Sequence, residues 1–263
     1  MRKLCLIPVI VVLVAASLSY AEMFDFADIE QGSQSLRAWE KSSGQDLWES
    51  TISTQMISHE GQAFLYINEV GAGVYGKDKT HKTWLSEAYY RVKGREVLPD
   101  QTRLVYKDQQ GKTIQTIEKF YDPKEERVIC VVDGKQKKFK FKADLIDKEL
   151  LGTAVRNYPF AEKRDFIFHL LTNEPTLYKI TLEYQTEETL IIDSQLIKCH
   201  KLRMIPDLGA LSIFGAFVPK TYFWYTAAKP HQFVRYEGLE SGLGTPYIVM
   251  ERNNTANTAT GRR

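Results

Sequence analysis

The chain has little cysteine, and this limits how its fold is held together. Its 263 residues include only three cysteines, Cys5, Cys130 and Cys199. Small secreted domains that depend on disulfides are far richer in cysteine, so a hydrophobic core must stabilise this protein. Cys130 and Cys199 each lie in a strand-like run and are candidates for one disulfide in an oxidising compartment. The alternative is two separate buried thiols that pack as small apolar side chains.

The chain also lacks net charge. Arg2 and Lys3 belong to a segment that we predict is removed, and without them 33 basic residues face 33 acidic residues. Proteins that bind nucleic acids need net or clustered positive charge to neutralise phosphates. The charge balance therefore argues against a nucleic-acid partner.

Long apolar runs are absent after the first 21 residues. Two basic residues precede an apolar run from Leu4 to Leu18, and Ser19-Tyr20-Ala21 places small residues at the two positions that signal peptidase reads. The run is short for a membrane span of about 20 residues, and an uncleaved anchor is the alternative interpretation. We predict a signal peptide over residues 1–21, cleavage after Ala21, a periplasmic location, and no transmembrane span in the mature chain.

No complete catalytic, metal-binding or cofactor-binding motif is present. The five histidines are scattered, and no pair has the spacing of a helical zinc site. Cys199 and His200 are adjacent, so on a strand their side chains point to opposite faces and cannot form a thiolate–imidazole pair. Glu237 and Glu240 near His231 are the one local cluster with acid–base potential. We predict a protein that is not an enzyme and that has no cofactor or metal.

Residues 71–76 read Gly-Ala-Gly-Val-Tyr-Gly and match the dinucleotide-binding fingerprint letter by letter. That motif works only where a helix begins at the glycines and points its N-terminus at the pyrophosphate. The residues that follow are polar and then strand-like. We therefore interpret the segment as a β-turn.

What the sequence does have is a succession of short β-type segments. Aromatic residues make up 12% of the chain, and aromatic side chains suit the pleated surface of strands. Tyr178, Ile180, Leu182 and Tyr184 alternate with polar residues, and this period of two indicates a strand with one buried face. Similar segments follow one another from about residue 49, separated by Gly, Asp, Asn or Pro. The pattern predicts a mainly β domain.

Other segments interrupt the β pattern. Residues 143–151 have helical spacing, and residues 159–171 favour a second helix, with a strand as the alternative. A short helix over residues 35–41 is also compatible with the sequence. Residues 208–218 are mostly small and apolar, and we interpret them as a loop or short helix that covers an open sheet. Residues 252–263 are too polar to order themselves.

Aromatic residues are densest near the C-terminus. Tyr222-Phe223-Trp224-Tyr225 places aromatic side chains on both faces of one strand. A strand buried on one side only does not need this, so either another element or a ligand covers the second face. We predict a ligand pocket lined by aromatic side chains, namely Trp84, Tyr90, Phe223, Tyr225 and Tyr236.

A second candidate site is a run of lysines. Lys135, Lys137, Lys138, Lys140 and Lys142 place five lysines within eight residues. One interpretation is a patch that binds anionic lipid head groups through the first four of them. The alternative is the solvent face of an edge strand, where lysines discourage pairing with other chains.

The order of strands and the closing block Phe223-Trp224-Tyr225 with residues 233–238, Phe-Val-Arg-Tyr-Glu-Gly, resemble periplasmic proteins related to the LolA/LolB-like lipoprotein-carrier superfamily. In that superfamily a strongly curved antiparallel sheet forms a half-open barrel, helices cover its concave face, and acyl chains bind between the two. The resemblance extends over residues 48–251 and includes no catalytic signature. It implies that a few helices, supplied by residues 143–171, cover the concave face, and that the protein carries a hydrophobic ligand.

These observations predict a signal peptide at 1–21, an N-terminal segment at 22–47, a single β-rich domain at 48–251 and a disordered tail at 252–263. The predicted function is that of an exported periplasmic binding protein that carries or senses a lipid or another hydrophobic ligand as an envelope accessory factor. Two alternatives are a structural module that docks another envelope protein, and an envelope lipid or glycan hydrolase that uses the acid–base cluster named above.

Overall fold

The structure is a computed structural model. It describes residues 29, 31–94, 96–207, 209 and 219–253. The predicted signal peptide, all of the segment at 208–218 except Gly209, and residues 254–263 of the predicted tail lie outside the described residues.

Fifteen strands and one short helix make up the described part of the chain. The strands are β1 (Gly32–Glu40), β2 (Asp46–His59), β3 (Gln62–Tyr75), β4 (Thr80–Lys93), β5 (Glu96–Lys107), β6 (Thr113–Asp122), β7 (Arg127–Val132), β8 (Lys135–Lys140), β9 (Leu145–Asp147), β10 (Phe166–Leu171), β11 (Leu177–Ile192), β12 (Gln195–Pro206), β13 (Thr221–Thr226), β14 (Phe233–Leu239) and β15 (Tyr247–Asn253). The helix, α1, spans Leu151–Arg156.

All fifteen strands belong to one sheet built from two meanders. Strands β1 to β8 pair in chain order, strands β9 to β15 pair in chain order, and β1 pairs with β15 to join the two halves. Every pairing is antiparallel except that of β9 with β10. The predictions of a mainly β chain and of one large curved antiparallel sheet are confirmed. The sheet is not closed, since β8 and β9 are its two ends.

Tight turns of the expected chemistry join many neighbouring strands. Asp133 and Gly134, between β7 and β8, have φ angles of 49° and 80°. Positive φ at both central positions is typical of the two-residue turns that match the twist of antiparallel strands. Gly134 adopts this conformation without steric cost because it has no Cβ.

The sheet rolls so that its β9–β10 end packs against the inner face of β4 to β7. Tyr90 from β4 belongs to the same buried cluster as Ile146 and Phe168. Further along, Val128 from β7 packs in one cluster with Leu145 from β9. The two ends of the sheet therefore meet through side chains, and the roll encloses an interior.

The helices expected from the sequence are mostly strands. Residues 35–41 lie largely in β1, where alternate side chains such as Leu36 and Ala38 are buried. Within 159–171, β10 forms, so the strand alternative is correct. Residues 143–151 contain β9, and α1 begins only at Leu151, because Leu145 and Ile146 pack into the meeting ends of the sheet. The described residues contain one short helix, fewer than the few helices expected over the concave face.

The interpretation of residues 71–76 as a β-turn is also wrong for most of the segment. Strand β3 continues through Gly71 and Gly73 to Tyr75, and the turn begins only at Gly76. The glycines are explained by close packing, since a Cβ at Gly73 would lie 2.3 Å from the backbone oxygen of Leu47. Among the described residues, no helix has the length and apolarity needed to cross a membrane.

Candidate functional site

The interior of the roll is a large cavity. Its volume is about 1400 Å³, and both meanders contribute to its wall. Exposed residues such as Lys77, His81 and Leu243 line its rim, so it opens to solvent beside the turns that precede β4 and β15. Its apolar wall is formed by Leu36, Trp48, Ile52, Ile67, Trp84, Leu104, Tyr106, Ile117, Leu151, Leu170, Ile180, Phe223, Tyr225, Phe233, Tyr236 and Ile248.

Four aromatic side chains, Trp48, Tyr75, Trp84 and Tyr106, form an aromatic cluster in this wall. The ring centroid of Trp84 lies 5.7 Å from that of Trp48 and 5.2 Å from that of Tyr75, and Tyr75 stacks on Tyr106 at 5.6 Å. Rings at such separations attract one another beyond the gain from burial alone. A Cβ at Gly71 would lie 2.1 Å from Cζ2 of Trp84, so the indole ring lies directly on the backbone of β3. The cluster is therefore held in place by both packing and strand geometry.

Glu240 fixes one edge of the aromatic cluster. Its carboxylate accepts a hydrogen bond from Nε1 of Trp48 at 2.7 Å and another from the backbone N–H of Gly76 at 2.7 Å. Burial raises the pKa of Glu240, and these two hydrogen bonds partly offset that rise. The carboxylate thus ties the loop after β14 to the end of β3 and sets the orientation of the indole.

Glu69 holds the second indole and reaches the cavity from β3. Its carboxylate accepts a hydrogen bond from Nε1 of Trp84 at 3.2 Å. Burial raises the pKa of Glu69, while the positive charge of Lys148 lowers it. Lys148 also lowers the pKa of Glu240 and lines the same cavity. Two carboxylates and one ammonium group therefore add charge to a wall that also carries many apolar side chains.

Asp147 organises the place where the ends of the sheet meet. It is fully buried, and its carboxylate accepts hydrogen bonds from the hydroxyls of Tyr90 at 2.6 Å and Tyr121 at 3.1 Å and from the N–H of Leu150 at 3.0 Å. Burial, and then the nearby negative charge of Glu149, raise the pKa of Asp147 to about 6. Asp147 does not line the cavity. Its hydrogen bonds connect β4, β6 and β9, so its role is structural.

The structure brings together four of the five residues predicted for the pocket. Trp84, Phe223, Tyr225 and Tyr236 all line the cavity. Tyr90 does not: it is fully buried beside the cavity, where its hydroxyl binds Asp147. Phe223 and Tyr225, which share one face of β13, therefore both face the cavity.

The predicted head-group patch lies away from the cavity. Lys135, Lys137, Lys138 and Lys140 belong to β8, which is an end strand of the sheet, and none of them lines the cavity. Lys137 donates a hydrogen bond to the backbone oxygen of Pro175 at 2.7 Å, and Lys140 pairs with the exposed Glu126. The position favours the alternative interpretation, in which the lysines protect an edge strand.

The two cysteines of the β domain are free. Cys130 lies in β7 and Cys199 lies in β12, and each is buried in a different apolar cluster. The candidate disulfide between them is therefore not formed, because the fold places the two strands far apart in the order of the sheet. Burial raises the pKa of each thiol to about 11.

The acid–base cluster suggested for a hydrolase does not assemble. Glu240 lines the cavity, whereas Glu237 pairs with Lys41 and with Arg235 on the other face of β14. His231 binds the backbone oxygen of Thr226 at 2.8 Å and does not line the cavity. Within the part of the chain that the structure describes, no group of three or more His, Cys, Asp or Glu side chains is arranged to hold a metal ion.

The polar residues of the cavity were missed by the sequence analysis. Glu69 is in phase with the buried Leu65 and Ile67, and Ser86 is in phase with Trp84 and Ala88. A polar residue that shares the period of buried neighbours points to the same face of the sheet. That phase is the signal by which both positions can be found from sequence.

Comparisons with known proteins find distant similarity to solved structures. No family model and no curated protein matches the chain. A β-barrel-like protein of a domain of unknown function, DUF1849, from Brucella abortus has a TM-score of 0.48 and 7% identity, over 84% of this chain and 93% of that chain. An exported protein with a YmcC-like fold from Bacteroides fragilis has a TM-score of 0.32 and 10% identity, over 87% of this chain and 97% of that one.

The lipoprotein YmcC from Escherichia coli has a TM-score of 0.27 and 10% identity, over 89% of this chain and 93% of its own. At TM-scores below 0.5, these similarities establish neither a family nor a function. None of the three proteins is named as LolA-like or LolB-like, so that resemblance stays a prediction.

Proposed function

We propose that this protein is an envelope accessory factor that binds an apolar or amphiphilic molecule inside its rolled sheet. The observation that carries the proposal is the cavity of about 1400 Å³ with its wall of aliphatic and aromatic side chains. Ligand pockets typically measure about 300–1,000 Å³ and are lined mainly by apolar residues with a few polar groups. The interior of this sheet has that composition and a larger volume.

The energetics of the cavity suit a lipid-like guest. Each buried methylene contributes about 0.8 kcal/mol, so a chain of about ten buried methylenes contributes ~8 kcal/mol. Association costs at least ~4 kcal/mol in lost translational and rotational freedom. An acyl chain is therefore long enough to bind, whereas a small apolar molecule offers too little surface.

We also propose that the chain reaches the periplasm through cleavage of its signal peptide after Ala21. The basic start, the apolar run and the small-residue site support this location. N-terminal sequencing of protein recovered from the periplasmic fraction is the direct measurement. A mature chain that begins at Glu22 supports the proposal, and a chain retained in the membrane with Met1 intact contradicts it.

Native mass spectrometry tests the binding function. Protein purified from the periplasm without detergent is expected to carry a stoichiometric lipid-like mass that organic extraction removes. Met204 lines the cavity and Arg203 is its neighbour on the outer face of β12, so Met204→Glu and Arg203→Glu form a matched pair. We expect the first to abolish the bound mass and the second to retain it. An extracted wild type that rebinds no amphiphile would overturn the proposal and favour a module that docks another protein.

A further inference from the structure

A row of inward side chains crosses four adjacent strands of the cavity wall. Gln34 in β1 lies opposite Ile52 in β2, Ile52 lies opposite Glu69 in β3, and Glu69 lies opposite Ser86 in β4. Directly opposed residues in antiparallel strands share a face, and all four line the cavity. We call Gln34, Glu69 and Ser86 the polar row. It spans about 14 Å, since neighbouring strands lie about 4.8 Å apart.

The polar row contains polar atoms that have no protein partner. Nε2 of Gln34 and Oγ of Ser86 are both buried and make no hydrogen bond to any described residue. The Ser86 side chain belongs to a residue only 4% exposed. Ser50, two residues before Ile52 on β2, adds a third buried polar atom without a partner; its hydroxyl lowers the pKa of Glu69 without reaching hydrogen-bonding geometry. Buried polar groups in folded proteins are nearly always paired, so this concentration points to a partner from outside the chain.

The hydrogen bonds that the polar row can make restrict the chemical class of that partner. A carboxylate offers several acceptor sites, and Glu69 uses one of them for the indole N–H of Trp84. A ligand group beside Glu69 must therefore donate a hydrogen bond. The amide N–H of Gln34 needs an acceptor, and the hydroxyl of Ser86 can serve either role. A ligand that pairs with the whole polar row must therefore carry both hydrogen-bond donors and hydrogen-bond acceptors.

Hydroxyl groups meet this requirement better than charged groups do. An ammonium group supplies donors only and leaves Nε2 of Gln34 unpaired. A carboxylate or phosphate supplies acceptors only, so it can pair with Lys148, which lines the same cavity, but it leaves Glu69 without a donor and is repelled by it. A hydroxyl donates and accepts at once, and several hydroxyls are needed to span a row of about 14 Å.

We propose that the polar row recognises the hydroxyl-bearing, uncharged head group of an amphiphile, such as a glycerol or sugar ester, whose chain occupies the apolar wall. This inference rests on the proposed function, because it names the class of ligand that the same cavity holds. The hydrocarbon chain contacts aliphatic and aromatic side chains such as Ile180 and Phe223. The head group completes the hydrogen bonds that the protein leaves open.

Three probes with the same twelve-carbon chain length test the head group: glycerol monolaurate, lauric acid and dodecylammonium. Isothermal titration calorimetry below their micelle concentrations gives the three dissociation constants for the full mature protein. We expect glycerol monolaurate to bind most tightly. Glu69→Gln and Ser86→Ala should each weaken it about tenfold, the factor for losing one good hydrogen bond. Ser86→Ala should change the affinity for lauric acid less than about threefold, and Glu69→Gln should strengthen it, because a negative charge is removed from the row.

Glu49→Gln is the matched control, since Glu49 lies on β2 with an exposed side chain. It should leave all three affinities unchanged. Tightest binding of dodecylammonium with loss in Glu69→Gln would show a cation site and overturn the inference, as would tightest binding of lauric acid. Equal affinities that neither variant alters would show that the row holds water alone. If no probe binds, the proposed function itself fails. Should Glu69→Gln not fold, Ser86→Ala carries the test.

Discussion

Gly71 shows how the absence of one side chain shapes the cavity wall. The indole of Trp84 occupies the space that a Cβ at Gly71 would need. Gly71→Ala should therefore displace the ring, disrupt the aromatic cluster and destabilise the fold by about 1–3 kcal/mol, as overpacking typically does. Urea denaturation measures the loss, and tryptophan fluorescence reports the movement of the ring.

Gly152 provides the control for that substitution. It lies in α1, and a Cβ there would meet no atom within 4 Å. Gly152→Ala should leave the free energy of unfolding unchanged or raise it by about 0.4–1 kcal/mol, because alanine reduces the freedom of the unfolded chain. Equal destabilisation by the two substitutions would contradict the packing role of Gly71.

At the residue scale, the sequence analysis named several aromatic residues of the cavity wall and missed most of its polar residues. Phe223 and Tyr225 were found because they alternate within one strand. Glu240 was assigned only to a local cluster, because its partner Trp48 lies 192 positions away in the chain. A hydrogen bond between residues so far apart in the chain leaves no local sequence pattern. The alternation of aromatic residues on β13, by contrast, is visible within five residues.

At the scale of elements, a buried ion pair holds the meeting ends of the sheet. Nζ of Lys119, on β6, donates hydrogen bonds to Glu149 at 2.9 Å and to Asn173 at 2.7 Å. The side chains of Lys119 and Glu149 are only 1% and 7% exposed. Removing one member of such a pair leaves an uncompensated buried charge, so Lys119→Met should destabilise the fold by about 3–5 kcal/mol.

The double variant Lys119→Met/Glu149→Leu separates charge from packing. Replacing a whole buried pair with apolar residues is often neutral, so the double variant should regain most of the stability lost in Lys119→Met. Urea denaturation midpoints of the wild type, both single variants and the double variant complete the cycle. A double variant as unstable as Lys119→Met would show that the pair acts through shape and not through charge compensation.

The elements that the sequence misassigned are those whose structure depends on distant partners. Residues 143–151 have helical spacing, yet Leu145 and Ile146 form a strand because β10 pairs with them and the inner face of the sheet buries them. Tertiary packing overrides local periodicity there. By contrast, the clean alternation in β11 predicted its strand correctly, since one of its faces is wet and one is buried.

At the scale of the molecule, the buried carboxylates predict how stability depends on pH. Burial raises the pKa values of Asp147, Glu69 and Glu240 in the folded state. The folded protein therefore binds more protons than the unfolded chain between about pH 4, where an unperturbed Asp titrates, and the raised pKa of about 6 for Asp147. The stability that these three carboxyl groups contribute is fully present below about pH 4 and is lost as the pH rises through the raised pKa values, that of Asp147 being about 6.

Asp147→Asn removes the titrating group whose pKa is raised to about 6 and so isolates its share of the pH dependence. Asparagine keeps the shape of the protonated acid but does not titrate. Relative to this variant, the wild type should lose stability as the pH is raised from 4 to 7, and most of the change should fall between pH 4 and 6. Urea midpoints at constant ionic strength provide the measurement. Parallel curves for the two proteins would contradict the raised pKa.

The class of the fold could be predicted from the sequence, but the long-range contacts that roll the sheet could not. Period-two alternation and turn chemistry are local, and they predicted a mainly β domain, while the curved antiparallel sheet was implied by the family resemblance. The pairing of β1 with β15 joins Ala38 to Met250, and no local pattern specifies a contact of that range. The packing of β9 and β10 against the opposite end of the sheet has the same long-range character.

The meeting of the two sheet ends through side chains has a mechanical consequence. In a closed barrel, strand number and stagger fix the diameter. Here the sheet is a coiled ribbon whose ends are held by contacts such as those of Tyr90 and Tyr121 with Asp147. These contacts join side chains and not backbone ladders. The width of the lumen is therefore set by side-chain packing where the two ends of the sheet meet, and not by strand number and stagger.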